Sequence, residues 1–194
     1  MIIKLPFVNK ALILNLQIKK LPTQQTLGIT NHTEDNYFLP FIDYDDVEYD
    51  VVEQDVKFLQ TNYKIGTVVI SASSEEKMLS GKLVGHYHVI GFTKFTFPEI
   101  REMLRLVRCD DKFRYGWRFQ QRAWVLRLLE KTDIKTGKTT KPMVKLKKVL
   151  VAPTNKVVNK PMIEIIEKFY NINLKQYFKK FDNCKNVEII TYLT

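Results

Sequence analysis

With 194 residues, 45% hydrophobic and 27% charged, and with only 7 glycines and 7 prolines, the chain has the composition of one folded domain, single or bilobal. Disordered and fibrous classes are excluded. A formal net charge of +10 favours a polyanionic partner. The longest apolar run is far shorter than a membrane span, and residues 1–16 lack the order of a secretory signal, so the expected location is cytoplasmic. Cys109 and Cys184 stand in unrelated contexts without CxxC spacing, which fits a reducing compartment and no structural zinc.

In chain order, residues 1–20 alternate in Ile, Leu and Val and predict one or two strands. Residues 21–36, with Pro22, Gly28 and many polar residues, read as a loop in which His32 is a surface residue. Residues 37–43 read as a buried strand ending in acids. Val47, Val51, Val52, Val56 and Leu59 recur at helical spacing, predicting a helix over 47–63 whose acids are solvated. Residues 66–71 predict a second strand, 73–83 a polar connection and 85–92 a third strand. Thr96, Pro98 and Glu99 form a helix start, and that helix is expected to run to about Arg108 with Arg101, Arg105 and Arg108 outward. Residues 117–130 read as a strand, 132–141 as a basic loop, 143–151 as a strand, 161–170 and 174–181 as helices, and 187–192 as a last strand. The expected fold class is α+β, with mixed or antiparallel sheets flanked by helices.

The charge is unevenly spread. Residues 43–55 contain seven acids and no base, residues 131–194 contain 14 lysines and five acids, and all seven arginines fall within 101–127. Arginine forks suit phosphate, so Arg101, Arg105, Arg114, Arg118 and Arg122 are candidate nucleic-acid contacts.

Asp43 and Asp45 lie two apart, so on a strand both carboxylates leave the same face. His86 and His88 do likewise in Gly85-His86-Tyr87-His88-Val89-Ile90-Gly91. Asp110 follows the next helix, with Asp111 as its rival. Three acids and a histidine from separate strand ends can meet at one sheet edge, and hard oxygen ligands suit Mg²⁺ or Mn²⁺ bridging nucleotide phosphates.

In this order the residues resemble the archaeo-eukaryotic primase superfamily, in the minimal form carried by plasmids and viruses. Asp43-Tyr44-Asp45 resembles its D-x-D motif, Gly85-His86-Tyr87-His88-Val89 its S-x-H segment, and Asp110 its third acid. Val125-Leu126-Arg127-Leu128 and Lys135-Thr136-Gly137-Lys138 resemble its apolar-Arg-Leu and Lys-Thr-Gly elements. The resemblance implies a catalytic core with an RRM-like module and core motifs within 37–141. It also implies a DNA primase or polymerase activity with two divalent ions on Asp43, Asp45 and Asp110, and a triphosphate held by His88 and Arg127 with help from Lys131 or Lys138. The partners implied are a DNA template and primer, nucleoside triphosphates and a replicative helicase, inside a prokaryotic cell or the host of a virus or plasmid. His86 stands where the family has serine, and an imidazole can also donate to a phosphate oxygen.

Two other classes compete. His86-Tyr87-His88 has the His-hydrophobic-His form of rolling-circle replication endonucleases, for which Tyr177, with Lys180 three residues on, would be the nucleophile; that leaves Asp43, Asp45 and Arg127 without a role. A non-catalytic nucleic-acid-binding module would stack bases on Tyr115, Trp117, Phe119 and Trp124. A Walker loop at Thr136-Gly137-Lys138-Thr139-Thr140 is excluded because Thr132 occupies the required glycine position.

Overall fold

The structure is a computed structural model and describes residues 2–4, 11–13, 24–111, 114–115, 124–184 and 189–193. It is α+β, with sheets built almost entirely of antiparallel ladders and three α-helices among the described residues. No helix among them is long and apolar enough to cross a membrane.

A four-stranded antiparallel sheet forms the centre. It comprises β4 (Phe41–Glu48), β5 (Val68–Lys77), β6 (Leu83–Gly91) and β10 (Lys145–Leu150), in the order β10-β5-β6-β4. Helix α1 (Tyr49–Asn62) follows β4 and α2 (Phe97–Leu106) follows β6. The two helices meet β4 around Ile42, Leu59, Ile100, Met103 and Leu104. Alternation along β4 sends Ile42 and Tyr44 toward α1 and leaves Asp43 on the opposite face.

A second sheet is organised on β3 (Gln24–Thr30). It pairs with β13 (Ile189–Leu193), with β7 (Val125–Arg127) and with β8 (Lys131–Asp133), which in turn pairs with β9 (Thr139–Lys141). The two sheets are joined through fully buried Asn31. Its Nδ2 donates to the Leu39 carbonyl at 3.1 Å and its Oδ1 accepts the Trp124 amide at 2.8 Å, so one side chain satisfies backbone groups on the approaches to both β4 and β7. Elsewhere β1 (Ile2–Lys4) pairs with β2 (Ala11–Ile13), and β11 (Val158–Asn159) makes a short parallel ladder with β12 (Phe181–Asp182). Helix α3 (Lys160–Tyr170) starts where Asn159 caps the Met162 amide at 2.8 Å and stops at left-handed Asn171.

Local signals worked where the chemistry is local. The capping box predicted at Thr96 is formed, with the Thr96 amide donating to Glu99 Oε2 at 2.7 Å. Other readings are corrected. Residues 24–30 are strand, not loop, because Thr26, Gly28 and Thr30 are buried on pairing with β7, β8 and β13. The expected polar connection after residue 73 is largely strand, since β5 and β6 continue as a solvent-exposed hairpin to Lys77 and Leu83. The basic loop 132–141 is the β8–β9 hairpin with a turn at 134–136. Residues 174–181 are not an α-helix: only Lys175–Tyr177 form a 3-10 turn. His32 is half-buried and its ring meets Phe38 at 4.9 Å.

Asp55 of α1, expected to be solvated, is 5% exposed. It accepts the Arg108 backbone N–H at 2.7 Å, Arg108 Nε at 3.0 Å and Nη2 at 2.6 Å, and the Tyr44 hydroxyl at 3.3 Å. Arg108, expected outward with Arg101 and Arg105, therefore turns back to neutralise a buried acid. This locks the end of α2 to α1 and β4.

Candidate functional site

The β4–β6 register puts Asp43 opposite His88, and His88 opposite Ser71 of β5. In an antiparallel pair opposed residues share a face, so these three stand together away from α1. A bulge between Tyr44 and Val47, with Asp46 at φ 55°, ends the regular pairing. There His86 Nδ1 lies 2.5 Å from Asp45 Oδ1, and its Nε2 3.4 Å from Asp46 Oδ1. His86 is thus taken up by acids.

Asp110 enters from the segment after α2, and its amide donates to the Asp43 carbonyl oxygen at 2.9 Å. Asp111, its rival, has a largely exposed side chain and pairs with Arg114 at 3.6 Å. The Asp43 carboxyl is pushed up to about 7 by burial, then by the Asp45 and Asp110 carboxylates, against the pull of His86 and Lys141. Asp43 Oδ1 is buried without a hydrogen-bond partner; His88 Nε2 is 3.5 Å away, and His88 Nδ1 is likewise unpartnered. Burial, followed by the charge of Arg127, pushes His88 down to about 4. At neutral pH it is a neutral imidazole.

The second sheet supplies the cations. Arg127 is 6% exposed. It sits opposite Gly28 on β3, and its Nη1 donates to the carbonyls of Leu129, at 3.0 Å, and Pro142. Those two anchors orient the guanidinium. Lys131 is lowered by burial, Lys141 and Arg127, while Asp43 and Asp45 act in the opposite direction. Neither Lys131 nor Lys141 closes an ion pair with Asp43 or Asp45 among the described residues. Acids and cations therefore face one another across a gap.

Chain order separates these residues, but the fold gathers Asp43, Asp45, Asp110, His86, His88, Arg127 and Lys131. Lys138 lies instead in the exposed β8–β9 turn, where its carbonyl accepts the Asp133 amide. Arg101, Arg105 and Arg114 form a separate pocket with Tyr115, while Arg118, Arg122, Trp117 and Phe119 lie outside the described residues. Trp124 packs against the core. Tyr177 ends the 3-10 turn, and no hydrogen bond or ring contact among the described residues joins it to His86 or His88. The sequence reading missed Lys141, because it sits in a stretch taken for loop; the strand alternation of Lys131 and Lys141 across a hairpin was the available signal. It also missed Ser71, an ordinary strand residue until its opposition to His88 is known.

Among the described residues no three Asp, Glu, His or Cys side chains are drawn together tightly enough to enclose an ion as they stand. The donor set still fits a hard cation. An orphaned, buried carboxylate oxygen on Asp43, with Asp45 and Asp110 raising its proton affinity, lacks a positive partner. No protein-family model, curated protein or solved structure matches the chain significantly.

Proposed function

We propose that this chain is a small primase-polymerase-like nucleotidyltransferase that joins nucleoside triphosphates on a DNA template. One observation carries the reading: Asp43 and Asp45 on the central sheet act electrostatically on Lys131 of the second sheet, with Lys141 and Arg127 beside it, and no direct ion pair closes the gap for either lysine. A triphosphate accompanied by a cation carries both signs of charge and satisfies both walls. A purely binding module has no comparable need for buried carboxylates among its phosphate-binding cations.

In this reading Asp43, Asp45 and Asp110 would hold Mg²⁺ or Mn²⁺, which supplies charge neutralisation at the phosphates when bound. Arg127, Lys131 and Lys141 draw the triphosphate tail to the second sheet and favour departure of pyrophosphate as its charge develops. Neutral His88 offers an N–H to a phosphate oxygen without repelling Arg127. His86, held by Asp45 and Asp46, orients the acids. The central sheet with α1 and α2 is the candidate for the RRM-like module, and the implied partners are template, primer and a replicative helicase.

The test is primer extension on a DNA template with ribo- and deoxynucleotides, each with Mg²⁺ and with Mn²⁺. Asp43→Ala and Asp45→Ala should abolish incorporation while leaving the folded circular-dichroism signal. Wild-type incorporation by either variant refutes the assignment.

A further inference from the structure

Arg101 and Arg105 are one helical turn apart on the solvent side of α2. With Arg114 and Tyr115 they line a cavity of about 280 Å³. Most other basic side chains on the surrounding surface are engaged: Arg108 by Asp55, Lys82 by Glu48, Lys94 by Asp35 and Asp182, Lys147 by Glu75 and Lys148 by Glu53. Neither Arg101 nor Arg105 makes an ion pair among the described residues. Glu102, the acid next to Arg101, is taken by the Tyr63 hydroxyl at 2.7 Å. Arg101 rests over the Phe97 ring, 5.8 Å from its centroid, which restrains the stem and leaves the fork directed by packing.

The floor is pre-set. Arg114 Nη2 donates to the carbonyls of Val107 at 2.7 Å and Cys109 at 3.3 Å, its Nη1 lies 3.6 Å from Asp111, and its Nε is buried without a partner. Tyr115 is 47% exposed beside it. Two uncompensated guanidinium forks, an anchored third and an exposed aromatic ring in one concavity match a phosphodiester with an unstacked base. A duplex keeps its bases stacked and offers no such base.

We infer that this pocket is a binding site for single-stranded nucleic acid, taking one backbone phosphate on Arg101 and Arg105 and the adjacent base on Tyr115. The inference deepens the polymerase reading and rests on it for the role of the strand as template. The site is built on the segment that carries Asp110. The Arg114 amide donates to the Asp110 carbonyl at 2.9 Å, and the Asp110 amide to the Asp43 carbonyl at 2.9 Å. A strand seated here is therefore two backbone hydrogen bonds from the candidate catalytic acids.

The experiment is fluorescence anisotropy of the whole chain with a labelled oligothymidylate 20-mer and with a blunt duplex of the same length, over a range of salt. The double variant Arg101→Gln/Arg105→Gln should bind the single strand at least tenfold more weakly, with a salt slope shallower by about 1.4, from roughly 0.7 per lost phosphate contact. Tyr115→Ala should weaken single-strand binding about tenfold and leave the slope unchanged. Duplex binding should change little in either variant. Lys179→Gln/Lys180→Gln, which removes the same charge from an exposed segment elsewhere, should leave the single-strand affinity within about twofold. Wild-type affinity and slope in the arginine variant, with an unchanged melting temperature, overturn the pocket; so does an equal loss in the lysine variant. Pocket-dependent binding without any nucleotide incorporation by the wild type would overturn the polymerase reading and keep the pocket.

Discussion

Asp43 and His88 face each other across adjacent antiparallel strands with Oδ1 and Nε2 3.5 Å apart, and both are driven toward their neutral forms. The carboxyl is raised to about 7 and the imidazole lowered to about 4. An acid and a base in contact would ordinarily stabilise each other as an ion pair; here burial, the neighbouring acids and Arg127 prevail.

The two groups oppose one another in pH dependence. From about pH 4 to 7 native Asp43 holds more proton than the unfolded chain, so its contribution to stability falls as pH rises through that window. From about pH 4 to 6.5 the unfolded chain holds more proton at His88, so that contribution rises with pH and is lost on acidification. The slopes offset below pH 6.5 and only the Asp43 cost remains above it. Asp43→Asn should therefore be more stable than wild type at pH 7.5, on the order of 2 kcal/mol at ~1.4 kcal/mol per pKa unit with allowance for its partial exposure. Its stability should rise from pH 4 to 6.5 and then level. Urea melts at four pH values measure this, and a destabilised Asn variant at pH 7.5 would contradict it.

Adding Mn²⁺ or Mg²⁺ at pH 7.5 should raise the melting temperature of the wild type, since a cation bound only by the native state stabilises it by mass action, about 2.7 kcal/mol at a hundredfold excess over Kd. The shift should shrink at pH 6, where Asp43 is protonated and must release its proton to the ion. Asp43→Asn/Asp45→Asn should show no shift. Equal stabilisation of that double variant by Mn²⁺ would place the ion elsewhere.

Replacing Asp55 by Ala removes the acceptor for three Arg108 donors and the Tyr44 hydroxyl. The expected cost is about 3 kcal/mol. Tyr44→Phe, which deletes only the longest of these bonds, should cost about 1 kcal/mol. Thermal and urea denaturation give both values. Because Arg108 lies two residues before Asp110, Asp55→Asn should also reduce incorporation more than its stability loss explains, measured well below the melting temperature.

Two lysines on one hairpin separate the site from its surroundings. Lys141→Ala should raise KM for the nucleotide about tenfold, since Lys141 acts on Asp43 and Lys131. Lys138→Ala, in the exposed turn, should stay within about twofold. Steady-state incorporation kinetics distinguish the two, and equal effects would mean that the charge acts only through the bulk field.

Much of the site was legible because it follows from short-range periodicity. Asp43 with Asp45 and His86 with His88 share faces by the two-residue repeat of a strand, and the Thr96 capping box needs only residues four apart. Strand pairing hid the rest. The Thr- and Gln-rich segment at 24–30 becomes β3 only because three other strands bond to it, and Lys141 enters the site only because β9 folds back on β8. The sequence by itself determined which residues could share a face, the position of the α2 start and the concentration of arginines within 101–127. The tertiary structure alone decided that Arg108 serves a buried acid, that Ser71 and Lys141 join the site, and that Asp43 and His88 are both held near neutrality. Those outcomes depend on burial and on contacts between residues far apart in the chain, where desolvation and the field of distant charges outweigh any local preference.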